Sequence, residues 1–342
     1  MDTQREHLVG KTLEELQEIA QACGMPRFAG KQIAQWIYER RVNDIDAMTN
    51  LSKAHRAQLA LTYDVGYYAP VHAMQSVDGT AKYLYDVGAT SGVEAVYIPD
   101  RERATLCVSS QVGCKMNCYF CMTGKQGFTR NLTSQEIINQ IVSVPKSDTL
   151  TNLVFMGMGE PLDNIDELMK ALRILTEPWG MAWSPRRITV STIGYRPNLR
   201  RFIEESECHL ALSLHAPYPE QRGEVMPVEK SFPIRELLAI LREYDWSHQR
   251  RLSFEYIVFH DYNDSLQHAD ALVRLLGGIA CRVNLIRFHA IPGVNLKTSD
   301  MQRIEAFRDR LNERGVIATI RASRGEDIFA ACGMLSTAKN KS

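Results

Sequence analysis

The chain has 342 residues, 45 % apolar and 23 % charged, and its 40 basic side chains balance 40 acidic ones. That length and composition exclude a disordered or fibrous chain and leave room for one large unit plus a small one. Neutrality excludes a uniformly basic nucleic-acid binder, so any RNA-binding surface must be a local patch. No apolar run reaches the length of a membrane span, and the start lacks the apolar stretch of a signal peptide, so a cytoplasmic protein with reduced thiols is expected.

Residues 1–78 read as a small helical unit. Thr12 with Glu15 makes a capping box, and Leu13, Leu16, Ile19 and Ala20 follow at helical spacing until Gly24 and Pro26. A second helix is predicted over 31–40, with Ile33, Trp36 and Ile37 on one face, and a third from Ser52 to about Leu61. Arg27, Lys31, Arg40, Arg41, Lys53 and Arg56 make this unit rich in cations. They read either as solvated helix surface or as a phosphate-contacting module.

Asp78-Gly79 signals a hairpin, and strands are predicted over 81–87, 92–98 and 103–110. Glu94 shares a face with Val96 and Ile98. A carboxylate there is either exposed at an edge or buried with a shifted pKa, and the sequence favours the edge. Cys107 shares a polar face with Thr105 and Ser109, which suits a reaction cavity better than an apolar core.

Next comes Cys114-Lys-Met-Asn-Cys118-Tyr-Phe-Cys121. Three thiolates in one short loop can hold an iron–sulfur cluster and leave one iron without a protein ligand. A zinc site would want a fourth ligand, and the nearest extra cysteine is Cys107. Eight cysteines in a reducing compartment point to metal or catalysis, not to disulfides.

Thr133 with Glu136 caps a helix starting at Ile137 and Ile138. Strands at 152–156, 187–191, 209–214, 252–259, 283–286 and 317–321 then alternate with helices at 165–175, 197–205, within 234–243, around 266–276 and at 301–314. Repeated β-α units demand a parallel sheet, here a closed or partly open barrel with its site at the strand C-terminal ends. A doubly wound open sheet is the alternative. Gly157-Met-Gly-Glu160 ends a strand, where glycine lets backbone approach a ligand and Glu160 can accept from an ammonium. Cys332 sits between small residues near the end, while Cys23, Cys208 and Cys281 read as small buried hydrophobes. Residues 337–342 are polar and expected to be loose.

The cysteine loop has the spacing of the radical S-adenosylmethionine (SAM) enzymes. Together with Cys107-Val-Ser-Ser-Gln-Val-Gly-Cys114, Met156-Gly-Met-Gly-Glu-Pro161, Ser213-Leu-His-Ala216 and Gly325-Glu-Asp-Ile-Phe-Ala-Ala-Cys-Gly333, it resembles the RlmN/Cfr family of RNA adenine methyltransferases. The resemblance runs from about Val93 to Leu335. It implies an α/β fold, a partial (β/α)6 TIM-like barrel over 79–342 preceded by a helical accessory RNA-binding domain over 1–78. It implies a [4Fe-4S] cluster on Cys114, Cys118 and Cys121, and SAM contacts from Gly159, Glu160, Ser191, Ser213, Leu214 and His215. His289 stands where the family usually carries asparagine. The resemblance further implies that Cys332 carries a methyl group, that Cys107 releases the product through a transient disulfide, and that Glu94 accepts the ring proton. The expected reaction is methylation of adenine C2 in 23S ribosomal RNA and in transfer RNA, with an electron donor such as flavodoxin, by a monomer. Methylation at C8, as in the Cfr branch, and an iron–sulfur RNA-binding or electron-transfer protein without turnover are the alternatives.

Overall fold

In a computed structural model the protein is described over residues 5–88, 92–248 and 250–337. The N-terminal unit contains β1 (Glu6–His7), α1 (Leu13–Ala22), α2 (Ala29–Ala34), α3 (Lys53–Thr62) and β2 (Tyr63–Asp64), and β1 pairs with β2 in parallel. The Thr12–Glu15 capping box is formed, and Ser52 caps α3. The helix expected over 31–40 starts earlier and closes in a wider turn at Gln35–Glu39.

The chain then enters the main sheet through β3 (His72–Gln75), β4 (Ala81–Tyr85), β5 (Val93–Asp100) and β6 (Arg103–Cys107). β3 was not anticipated, because all four of its residues are exposed and carry no apolar alternation. The turn at Asp78-Gly79 joins β3 to β4, with the Ser76 N–H donating to the Thr80 carbonyl at 2.8 Å. The strand expected over 103–110 stops at Cys107. A short antiparallel pair, β7 (Gln111–Gly113) and β8 (Phe128–Asn131), then brackets α4 (Met122–Gln126).

Beyond α5 (Ser134–Val142), capped by Thr133 and Glu136, strand and helix alternate. The order is β9 (Asn152–Phe155), α6 (Ile165–Thr176), β10 (Ile188–Thr192), α7 (Arg196–Glu205), β11 (His209–Ser213), α8 (Pro219–Val225), α9 (Ile234–Leu241), β12 (Leu252–Val258), α10 (Leu266–Leu276), β13 (Arg282–Arg287), α11 (Met301–Glu313) and β14 (Ile317–Arg321). The sheet order is β14-β13-β12-β11-β10-β9-β6-β5-β4-β3, parallel from β6 through β14 and antiparallel from β3 to β6. Each parallel strand lies beside its predecessor, so the chain winds in one direction. A doubly wound sheet would reverse its strand order. β14 and β3 are opposite ends of the sheet, so the barrel is open.

One apolar core runs through both units, from Leu8, Leu16 and Ile33 to Leu153, Leu210 and Phe254. The N-terminal unit docks on α5 at a point where a side chain has no room: a Cβ on Gly10 would lie 2.3 Å from the Gln135 nitrogen. Lys170 on α6 pairs with Glu15 at 2.7 Å.

The segment after β14 crosses the open side of the barrel. The Gly325 N–H donates to Asp78 at 2.9 Å, Lys82 Nζ to the Phe329 carbonyl at 3.4 Å, and the Ser336 N–H to Glu94 at 3.0 Å. Thr337, expected to be loose, is held by its hydroxyl to the Gly92 carbonyl at 3.0 Å. Residues 338–342 lie outside the described residues. Among the described residues no helix is long and apolar enough to cross a membrane.

Candidate active site

One cavity, of about 870 Å³ of atom-free space open to solvent, lies at the C-terminal ends of the parallel strands. Cys114, Cys118 and Cys121 line it from the loop before α4, and Cys332 and Gly333 from the closing segment. Gly159, Glu160, Ser191, Ser213 and His215 line it from strand exits. Leu214 is fully buried behind that wall. Glu94, Cys107 and His289 do not line it either.

Local geometry explains the loop. Asn117 takes a left-handed conformation, φ 49°. The Cys121 N–H donates to the Cys118 carbonyl at 3.1 Å, and the Tyr119 N–H to the Val225 carbonyl at 2.9 Å. The Met122 N–H donates to the Gly333 carbonyl at 2.8 Å, and Thr123 to the Leu335 carbonyl at 2.7 Å. The loop and the Cys332 segment are therefore one assembly.

The donor set fits an iron–sulfur cluster. Burial pushes the Cys114 thiol up to about 12 and the Cys118 thiol well above its ordinary value, and the neighbouring sulfurs add to both. Bound metal reverses that penalty by stabilising thiolates. Among the described residues no three His, Cys, Asp or Glu side chains converge on one ion. A cube gives each thiolate its own iron and needs no such point.

Glycine at 157 and 159 has a different first reason from ligand access. A Cβ on Gly157 would meet the Val108 carbonyl oxygen at 2.6 Å, and one on Gly159 would meet Gln111 Cβ at 2.5 Å. The strand exit packs against the chain leaving β6. Glu160 is buried and turned inward, accepting from Thr192 at 2.5 Å, the Ile193 N–H at 2.9 Å and the Leu162 N–H at 3.1 Å. Burial still raises its carboxyl to about 7. His215, at φ 57°, accepts at Nδ1 from the Ile257 N–H at 3.0 Å. Burial and Arg222 hold its pKa down to about 3, so the ring is neutral and its Nε2–H is the free donor.

Glu94 departs from the edge reading. It lies buried on β5 between β4 and β6, pairs with Lys82 at 3.0 Å and accepts from the Ser336 N–H. Burial raises its pKa and Lys82 opposes the rise. Cys107 ends β6 buried, its thiol pushed up to about 12 by burial and, next, by Cys332. Cys332 presents its sulfur to the cavity and is exposed there. Surrounding protein still raises its pKa, and Arg321 opposes the rise. His289 lies away from the cavity wall, bonded to Glu326 at 3.0 Å and Ser323 at 3.0 Å, where it holds the closing segment.

The sequence reading missed Arg321, Glu255 and Arg222. Arg321 Nη1 lies 3.4 Å from Glu255 and 3.3 Å from the Met156 sulfur, with both Cys107 and Cys332 in its field. A carboxylate inside the apolar run Leu252–Val258 was the signal for Glu255. Nothing in a short amphipathic helix singles out Arg222. It is fully buried, pairs with Glu229 and donates to the Ile193 and Ser213 carbonyls at 3.0 and 3.1 Å, tying β10 to β11 under the cysteine loop. Glu229→Ala leaves that guanidinium buried without its counter-charge, at an expected cost of about 3–5 kcal/mol in urea unfolding.

Comparison with known proteins agrees with this geometry. Residues 108–273 match the Radical SAM superfamily, and residues 6–65 match the ribosomal RNA large subunit methyltransferase N-terminal domain. The chain is 65 % identical over 336 residues, 98 % of each chain, to the Parabacteroides distasonis protein named "Probable dual-specificity RNA methyltransferase RlmN". It is 43 % identical, over 95 % of this chain and 96 % of the other, to the Syntrophobacter fumaroxidans dual-specificity RNA methyltransferase RlmN. A crystal structure of a radical SAM methyltransferase from Sphaerobacter thermophilus superposes with a TM-score of 0.90 at 42 % identity, covering 97 % of this chain and 99 % of that one. A cysteine loop at the strand C-terminal ends, a partial barrel and near full-length identity together place the chain in the RlmN family of radical SAM methyltransferases.

Proposed function

We propose that this protein methylates C2 of an adenine in 23S ribosomal RNA and in transfer RNA. The observation that carries the reading is that Cys332 shares one cavity with Cys114, Cys118 and Cys121. A methyl group held on Cys332 would stand beside the source of a radical. The relatives named dual-specificity RNA methyltransferases support RNA as the substrate. Adenine C2 is a poor nucleophile, and a carbon radical delivered at short range avoids that barrier.

Cys114, Cys118 and Cys121 would hold a [4Fe-4S] cluster, and Gly159, Glu160, Ser191, Ser213 and His215 would surround SAM, with Leu214 behind them. When bound, the cluster and SAM supply a hydrogen-abstracting radical by one-electron cleavage of the sulfonium. Cys332 gives up its proton and takes a methyl group by displacement, and Arg321 favours the thiolate that does so. After loss of a hydrogen from the S-methyl, its carbon bonds to adenine C2, and Glu94 receives the ring proton. Cys107 sulfur then attacks Cys332 sulfur and breaks the bond to the transferred carbon. That carbon gains the Cys107 proton, the one electron left over from radical addition passes to a one-electron acceptor, a role the oxidised cluster would fill, and a disulfide joins the two cysteines. Two electrons from an external donor such as flavodoxin reopen it.

Residues 1–78 would act as an accessory unit that helps hold RNA, with 79–342 as the catalytic unit. Of its cations, Arg40 stacks on Trp36 at 4.1 Å and Arg41 reaches Ser147 at 3.1 Å, whereas Lys31 and Lys53 make no ion pair among the described residues. The protein is expected to work as a cytoplasmic monomer.

The test is nucleoside mass spectrometry after incubation of reconstituted protein with SAM, reductant and unmodified RNA. The expected product is 2-methyladenosine. A product of 8-methyladenosine overturns the C2 assignment. Failure to form 5′-deoxyadenosine overturns the enzymatic reading.

A further inference from the structure

The inside of a parallel barrel is normally filled by layers of branched apolar side chains. In this protein the lower half is not. Beneath the cysteine cavity, toward the strand N-terminal ends, lies a second cavity of about 1330 Å³ of atom-free space open to solvent. Its rim carries Arg103 at the start of β6, Arg186 just before β10, Arg251 just before β12 and Arg282 at the start of β13. Ser253 and Asn284 line the next level, at the two-residue spacing of inward-facing strand positions. Met156 and Glu255 line both cavities, and Arg321 bonds to both of them. One layer of side chains therefore separates the lower space from Cys332.

The four rim arginines are exposed, and among the described residues none is in an ion pair. Burial, then Arg282 and Arg103, hold the Arg251 pKa below its ordinary value. Burial, then Arg251, Arg250 and Arg186, hold His209 down to about 4. In a chain with no net charge, these arginines concentrate positive potential at the mouth, where Asp100, in register with Arg103, and Glu255 deeper in are the carboxylates lining the same cavity. Stability alone does not call for it, because like charges gathered at one mouth repel. Of the other approaches, the segment from Gly325 to Thr337 crosses the open side of the sheet, and the cysteine loop lines the solvent-open cavity at the strand C-terminal ends.

We infer that the substrate RNA enters through this mouth. Arg103, Arg186, Arg251 and Arg282 take the phosphates flanking an extruded adenosine, and its base passes up the polar column to the Glu255–Arg321 layer beneath Cys332. The inference rests on the reading of the protein as an RNA methyltransferase. Guanidinium forks suit phosphate, and an enzyme acting on a base interior to its stack must take that base out of it. Asn284 and Glu255, 2.7 Å apart, offer a donor and acceptors along the way.

The experiment is filter binding of an unmodified 23S ribosomal RNA transcript across a salt series. R251E/R282E is expected to bind more than tenfold more weakly and to lose about one unit of salt slope per arginine, with the absorbance of the cluster retained. R235E, on the outer face of α9, should bind as the unaltered protein does. Unaltered affinity and slope in R251E/R282E would overturn the proposal. If the double variant fails to fold, 4-thiouridine crosslinking on the unaltered protein decides. Crosslinks to peptides containing Arg251 or Arg282 support the entry route, and crosslinks confined to other surfaces refute it. Protein that binds no RNA in either assay would refute the methyltransferase reading itself.

Discussion

Cys107→Ala is expected to leave the protein covalently joined to its RNA. On the proposed division of roles, methyl transfer to Cys332 and bonding to adenine precede any need for Cys107. Without it, no sulfur is placed to attack Cys332 and free the product. Cys107 is close enough to Cys332 for that sulfur to raise its pKa, and Arg321 stands in the field of both, while on the same reading Cys114, Cys118 and Cys121 hold metal. A buried thiol is also slow to ionise, so its attack depends on local positioning and on Arg321 nearby. The variant should retain the absorbance of the cluster, complete one round of carbon transfer and stop. A nuclease-sensitive species of low mobility on a denaturing gel is the readout. Free turnover by Cys107→Ala protein would remove its assigned role.

Cys118→Ala should abolish both cluster absorbance and methylation. Three thiolates are the minimum that still leaves one iron open, and removing one exposes a second iron to loss. The polypeptide itself should survive the change. The loop remains anchored by the Tyr119 N–H on Val225, by the Met122 N–H on Gly333, and by Phe120 packed edge-on to His215 with ring centres 4.7 Å apart. Far-ultraviolet circular dichroism should therefore match that of the unaltered protein while the visible spectrum is blank. A variant that keeps its brown colour would displace Cys118 from the ligand set.

The legible parts of this molecule were those with local causes. Both capping boxes formed, because Thr12 with Glu15 and Thr133 with Glu136 satisfy backbone donors within one turn. The alternation after Cys107 made a parallel sheet legible, but not its winding, which is seen only in the strand order, where each parallel strand lies beside its predecessor. Glu94 misled because a lone carboxylate on an apolar strand is usually exposed, whereas its cover comes from Lys82 and Ser336, the latter far along the chain. His289 stood at a ligand position by resemblance, but its bonds to Ser323 and Glu326 turn it toward the closing segment. Arg321 and the rim arginines were not legible at all. Each is an ordinary charged residue at a strand end, and only the curvature of the sheet gathers them.

The stretch from Gly325 to Thr337 both covers the open side of the sheet and carries Cys332 into the cavity. Its latches lie at Asp78, Lys82, Glu94 and Gly92, and its hinge pins are Met122 and Thr123 on the cysteine loop. A swing of the arm large enough to carry Cys332 out of the chamber would have to break those latches. The hold on Cys332 and the cover over the sheet edge therefore rest on the same few bonds, and a change that loosens one loosens the other.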